Sequence, residues 1–202
     1  ILKPVAWYDI STNSKNIELT KNSSVFVFWS LICRNMTSRR TLKELLKIAP
    51  FKLFDINLRS PYYNMNLIEE LMLSSDFIKF NYEEIEEIST IYINKKATLE
   101  NMIETISEKT KTKNICVTMG EKGACYYTNN SFYYQDGFKI NVLDTVGAGD
   151  SFLATLVEGI LNKTKPQEIL KKACAVAALV ASKEGATPLV SATEINDLLD
   201  KK

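Results

Sequence analysis

Apolar positions along this chain fall into short blocks whose spacing alternates between an extended and a helical pattern. Val25-Phe26-Val27-Phe28-Trp29 is β-branched and aromatic throughout, the composition of a buried strand. Leu42, Leu45, Leu46 and Ala49 then recur at helical spacing, with Ser38 as the expected cap and Pro50 as the stop. Lys52 to Asn57 predicts the next strand, and Leu67, Ile68, Leu71 and Met72 a helix opened by Asn64 or Asn66. A strand over Asp76 to Phe80 leads into a short acidic helix from Asn81 to about Ile88. Leu99, Met102, Ile103 and Ile106 mark another amphipathic helix, and Asn114 to Thr118 another strand. Residues 1–24 are polar and weakly patterned, with Pro4 to Trp7 readable as a short edge strand and Ser11 to Asn16 as a loop.

Beyond Thr118 the pattern changes. Gly123 to Thr128 and Ser131 to Gln135 flank Asn129-Asn130, the signature of a β-hairpin. Helices are predicted over 151–161, 166–182 (Pro166 at its start) and near Thr193 to Leu199. Strands alternating with helices imply an α/β fold: a doubly wound, mostly parallel sheet with helices on both faces. Loops at the strand C-termini then gather on one edge, where ligands bind. No repeat, low-complexity tract or linker-like composition divides residues 1–202, so a single domain is expected.

Composition narrows the chemistry. The 202 residues, 46% hydrophobic and 24% charged, describe a globular chain able to bury a sizeable core. A net charge of +1 gives no nucleic-acid or membrane-surface bias. The four cysteines make no CxxC pair, and two of them lie in apolar runs, so buried free thiols in a reducing, cytoplasmic compartment are expected. Histidine is absent, which excludes His-based triads and His metal ligation within this chain; a general base must be a carboxylate, Lys, Tyr or Cys. The longest strongly apolar run, Ala173 to Ala181, is too short for a bilayer span. No secretory pattern opens the chain, which begins at Ile1 within ordinary sequence and is read as a cut N-terminus.

The most informative stretch is Asn141 to Phe152, NVLDTVGAGDSF. It predicts a strand end, a glycine turn and a helix start. Glycines permit close approach of a ligand to backbone. The first amides of a helix lack internal partners and point outward at the positive end of its dipole, an arrangement suited to phosphate. Asp150 sits at the mouth of this cradle, where a carboxylate can take a proton from an attacking hydroxyl. Asp144, Thr145 and Asp150 are equally readable as helix caps. As a whole, however, DTVGAGDSF resembles the C-terminal signature of the PfkB (ribokinase-like) family of sugar kinases. That resemblance implies an anion hole at Gly147, Ala148 and Gly149, with Asp150 as catalytic base.

Further elements match the same family in order. Phe54-Asp55-Ile56-Asn57-Leu58-Arg59 places three polar side chains on one face of an extended segment, readable as a structural Asp–Arg pair. It resembles the family's DxNxR element, which implies that Asp55 and Asn57 face substrate and that Arg59 neutralises phosphate charge. Asn81 with Glu84 is readable as a capping box, and it resembles the NxxE element associated with Mg²⁺ and phosphate positioning. The metal link would run indirectly through Glu84. Thr118, Gly120 and Gly123 resemble the TxGxxG segment that borders the nucleotide. Lys183 to Pro188 matches a loop that, with the Asp144–Thr145 region, lines a monovalent-cation (K⁺) site in several members. There is no GxxxxGK[ST] and no GxGxxG after a strand, so neither a P-loop nor a dinucleotide-binding protein is supported.

The resemblance covers essentially the whole chain, which reads as the C-terminal portion of a longer kinase whose lid region and early GG element are absent. Phe54 to Tyr62 and Trp29-Ser30-Leu31 look most like fructokinases. The implied activity is ATP- and Mg²⁺-dependent phosphorylation of a sugar hydroxyl, fructose first. Two alternatives stay open: a non-catalytic nucleotide- or sugar-binding pseudokinase, and a kinase for another small alcohol such as a nucleoside or vitamin precursor. The expected partners are sugar and nucleotide, with no nucleic acid and no membrane; a homodimer is one expected assembly.

Overall fold

From Phe26 to Gln135 the strands fall where the sequence predicts them, with helices between the first four. The structure, a computed structural model, describes residues 9–200; the expected edge strand at Pro4 to Trp7 lies outside them. Six strands, β1 (Phe26–Phe28), β2 (Lys52–Asp55), β3 (Phe77–Asn81), β4 (Asn114–Thr118), β5 (Ala124–Thr128) and β6 (Ser131–Gln135), form a mixed sheet in sequence order. The chain divides into two compact units, one through Ile115 and one from Cys116 onward.

In the first unit β1, β2 and β3 are parallel, with Phe28 beside Phe54, Phe54 beside Ile78, and Asp55 beside Lys79. Successive residues of a strand face opposite sides, yet Leu53, Phe54 and Asp55 are all buried, as are Phe77 to Phe80. Both faces of these strands are therefore covered, as a parallel sheet requires. Phe28 and Phe54 stack with ring centroids 5.0 Å apart. Phe54, Phe77, Phe80, Leu42 and Ile68 are among the largest fully buried side chains, each worth about 1.5–3 kcal/mol of burial. The helices are α1 (Ser14–Asn22), α2 (Met36–Leu46), α3 (Met65–Leu73), α4 (Tyr82–Ser89) and α5 (Leu99–Thr110).

Two expectations need correcting here, and one alternative is decided. Of the loop read at Ser11 to Asn16, residues 14–16 instead start α1, with Asn13 and Asn16 capping each other reciprocally. Only Thr20 of that helix is buried, so it has no apolar stripe to reveal it. Asn35, not Ser38, caps α2, and a 3-10 helix over Ser30–Arg34 precedes it. Ser38 is fully buried, and its Oγ accepts a bond from the Ile10 amide at 3.1 Å. Asn64, rather than Asn66, caps α3 by accepting from the Leu67 amide at 2.9 Å.

In the second unit β5 and β6 form the predicted antiparallel hairpin, with Asn129 and Asn130 at φ 52° and 57°. Two successive left-handed residues match the right-handed twist of the strands. Helices α6 (Ala148–Leu161) and α7 (Pro166–Ala181) pack together, and α7 also lies against β5 and β6; α8 (Ala192–Asp200) packs on α7. α6 starts three residues before the predicted 151, and no strand precedes it. Val142 and Leu143 are exposed, and the Leu143 and Asp144 amides donate to the Ala181 carbonyl at 2.9 and 3.2 Å. Two apolar residues in a row are too short a run to tell a strand from a loop.

Candidate active site

The second unit presents a helix end open to an anion. Gly147 takes the N-cap position of α6 at φ 83°, with no side chain capping the helix. The Ala148 amide reaches the Thr145 carbonyl at 3.3 Å and the Ser151 amide the Gly147 carbonyl at 2.9 Å. Between them, the Gly149 and Asp150 amides have no acceptor among the described residues. Asp144 accepts from the Val146 amide at 2.9 Å and so shapes the turn instead of capping the helix. Thr145 is exposed. Asp150 is exposed as well, and its carboxylate has no hydrogen-bond partner among the described residues.

The two glycines of the turn serve different ends. A Cβ at Gly147 would lie 1.9 Å from the Ala186 carbonyl oxygen, so the fold itself requires glycine there. A Cβ at Gly149 would meet nothing within 4 Å. Nothing in the protein demands glycine at 149, where the backbone faces open space. Gly123, at φ 91°, would place a Cβ 1.9 Å from the Gln135 carbonyl oxygen, whereas Gly120 faces open space and is favoured as glycine by its φ of 58° alone. Thr118, half-buried, ends β4 just before this turn.

The first unit gathers a different cluster at the C-terminal ends of its strands. Lys79 Nζ donates to Asp55 Oδ1 at 2.9 Å, with both side chains buried. Trp29 Nε1 donates to Asp55 Oδ2 at 3.2 Å. Both Asp55 oxygens are thus engaged within the fold. Glu84 takes the Leu58 amide on Oε1 at 2.9 Å and the Asn81 amide on Oε2 at 2.8 Å, while Asn81 Oδ1 accepts from the Glu84 amide. This is the predicted capping box with an added strap onto the turn after β2. Burial pushes the Glu84 carboxyl up from its ordinary range, against the opposing pull of the Asn81 and Leu58 amides. Asn57, in the left-handed region at φ 47°, and exposed Arg59 follow at the strand end.

Asp55, Asn81 and Glu84 are therefore brought together in the first unit, and Asp144, Thr145, Gly147, Ala148, Gly149 and Asp150 in the second. Sequence reading missed Lys79 and Trp29. Lys79 had a usable signal: a lysine inside the apolar run Phe77 to Phe80 needs a buried partner, and parallel pairing puts Asp55 beside it. Among the described residues no cluster of His, Cys, Asp or Glu could hold a metal ion by itself. No helix among them is long and apolar enough to cross a membrane.

Fold and turn together define an α/β protein with open amides at a helix N-terminus and an exposed carboxylate in its first turn. The chain belongs to the pfkB family of carbohydrate kinases, whose model matches residues 4–193. A sugar kinase of Pyrococcus horikoshii, described as uncharacterized, is 31% identical over 194 residues, covering 90% of this chain and 58% of the relative. Its crystal structure superposes with a TM-score of 0.77 at 27% identity, over 98% of this chain and 66% of that one. Fructokinase-2 of Solanum lycopersicum is 30% identical over 208 residues, covering 91% of this chain and 60% of the relative. The fructokinase of Vibrio cholerae O395, crystallised with fructose, ADP and calcium ion, shares the fold with a TM-score of 0.75 at 22% identity, over 87% of this chain and 60% of that one. The chain spans 58% and 60% of the length of the two curated relatives.

Proposed function

We propose that this protein transfers the γ-phosphoryl group of ATP to a sugar hydroxyl, with fructose the first acceptor to test. The observation that carries this reading is the exposed Asp150 carboxylate beside the open Gly149 and Asp150 amides. Family membership and the fructokinases among the relatives support it. Asp150 orients the acceptor hydroxyl and takes its proton, while those amides and the α6 dipole stabilise charge on the transferring group. Arg59 neutralises phosphate charge, and Thr118, Gly120 and Gly123 border the nucleotide. Asn57 is the polar group of its strand end left for substrate; Asp55, its oxygens already taken, acts by fixing that strand end. Mg²⁺, when bound, neutralises phosphate charge. Glu84 would help to hold it indirectly, its two oxygens also carrying the Leu58 and Asn81 amides. Asp144, Thr145 and the carbonyls of the 183–188 loop are the groups for a K⁺ ion.

The test is ADP release from Mg-ATP with fructose, for the wild-type chain and Asp150→Asn. Fructose-dependent turnover is expected, falling about 10²–10⁴-fold in the variant with nucleotide affinity kept. Wild-type turnover in Asp150→Asn would overturn the base assignment. The alternative outcome is a nucleotide-binding chain without turnover. ATP binding by a folded chain inactive toward sugars, nucleosides and vitamin precursors alike would select it.

A further inference from the structure

A cluster of the second unit takes no direct part in this chemistry yet touches the turn that does. Lys183 Nζ donates to the Leu189 carbonyl at 2.6 Å and to Glu194 Oε1 at 2.6 Å. Glu194 Oε2 accepts from the Ser191 amide at 2.8 Å and the Ser191 hydroxyl at 2.9 Å. Ser191 Oγ in turn accepts from the Glu194 amide at 3.2 Å. One lysine and one carboxylate thereby join both ends of the loop 183–191. Among the described residues, no backbone hydrogen bond ties 184–190 to the rest of the fold. Residues 184–187 are all exposed, yet the Ala186 carbonyl oxygen fills the space a Cβ at Gly147 would need. That loop lacks ladder bonds and a buried side chain of its own in 184–187, and its hydrogen bonds to the fold lie at its ends.

We propose that Lys183, Glu194 and Ser191 are positioning residues: they form a clasp that holds the Ala186 carbonyl against Gly147 and so fixes the open amides of the anion turn. The turn is then held from two sides. The Ala181 carbonyl at the end of α7 anchors Leu143 and Asp144 ahead of it. The clasped loop closes on Gly147 from the other side. The Lys183 ammonium and the Ser191 donors hold the Glu194 carboxyl down to about 2, so the ion pair persists across the neutral range. A clasp that served only to pin α8 would matter to α8 alone; this one differs in that its loop also bears on Gly147.

The catalytic arm of the test rests on the proposed function; the exchange arm does not. Lys183→Met, Glu194→Gln and the conservative Lys183→Arg are compared with the wild-type chain. Amide hydrogen exchange at Leu143, Asp144 and Ser151 is expected to quicken about tenfold in the first two variants and to return to the wild-type rate in Lys183→Arg. kcat is expected to fall about tenfold with the KM for ATP changed less than about threefold, the signature of misplaced transition-state groups. Faster exchange confined to residues 192–200, with 143–151 unchanged in both variants, overturns the clasp. So does unchanged kcat in an active wild-type background. If the wild-type chain shows no turnover, the proposed function fails while exchange still decides the clasp. Should Lys183→Met not fold, Glu194→Gln, which keeps the side chain's shape, carries the same measurement.

Discussion

The strand-end cluster of the first unit and the anion turn of the second both carry carboxylates in family motifs, but they are built oppositely. At Asp55 and Glu84 every carboxylate oxygen is already met: by Lys79 and Trp29 in one case, by two backbone amides in the other. At Asp150 none is met among the described residues, and two neighbouring amides are open too. A buried charge without a partner is too costly to keep, so the first cluster must be complete by itself. An exposed charge is solvated and can wait for a ligand. The first cluster spends its buried carboxylates on shape, and the second leaves its carboxylate and two amides open.

That contrast predicts effects in different observables. Asp150→Asn should give the largest change, about 10²–10⁴-fold in turnover, with an unfolding midpoint in urea close to wild type. A large stability loss there would show that Asp150 is structural after all. Lys79→Met should do the reverse, costing about 3–5 kcal/mol in urea unfolding by leaving Asp55 charged and buried. The double variant Asp55→Leu/Lys79→Met should recover much of that loss; a single variant of wild-type stability would break the contrast. The two turn glycines sharpen it further. Gly147→Ala should destabilise by about 1–3 kcal/mol through strain against Ala186. Gly149→Ala should leave stability near wild type and weaken nucleotide binding, read by titration calorimetry.

The smallest effect concerns acid. The folded-state carboxyl of Glu194 is held at about 2, below its ordinary 4.5. A depressed carboxyl contributes stability above its unfolded value and loses it as pH falls through the folded one. Urea midpoints of wild type and Glu194→Gln should therefore differ at neutral pH and above 4.5, and converge as pH falls to about 2. A gap that persists at the acid end would mean that Glu194 stabilises through something other than its charge.

Much of this is legible in the order of the amino acids. Apolar periodicity places the strands and most helices because burial enforces it, and it fails at α1, whose single buried residue leaves no stripe. The Asn81–Glu84 cap can be read because its partners are three residues apart. The Leu58 amide on the same Glu84 cannot, because it comes from a different strand end. Asn35 and Ser38 are both good capping types, and only the observed backbone shows that Asn35 is the one preceding the helix.

By itself the sequence determined the alternation of strands and helices, the capping chemistry within a few residues, and the glycine-rich turn with Asp150 in the first turn of α6. Those follow from local periodicity and from contacts a few residues long. Only the tertiary structure decided which polar groups are spent and which are open. It set Lys79 beside Asp55 across 24 residues and Trp29 on the same carboxylate across 26. It pressed Ala186 onto Gly147 and left Gly149 free. Whether a carboxylate is a strut or a reactive group depends on what lies within about 3 Å of it, and that is fixed by packing between elements, which no local pattern encodes.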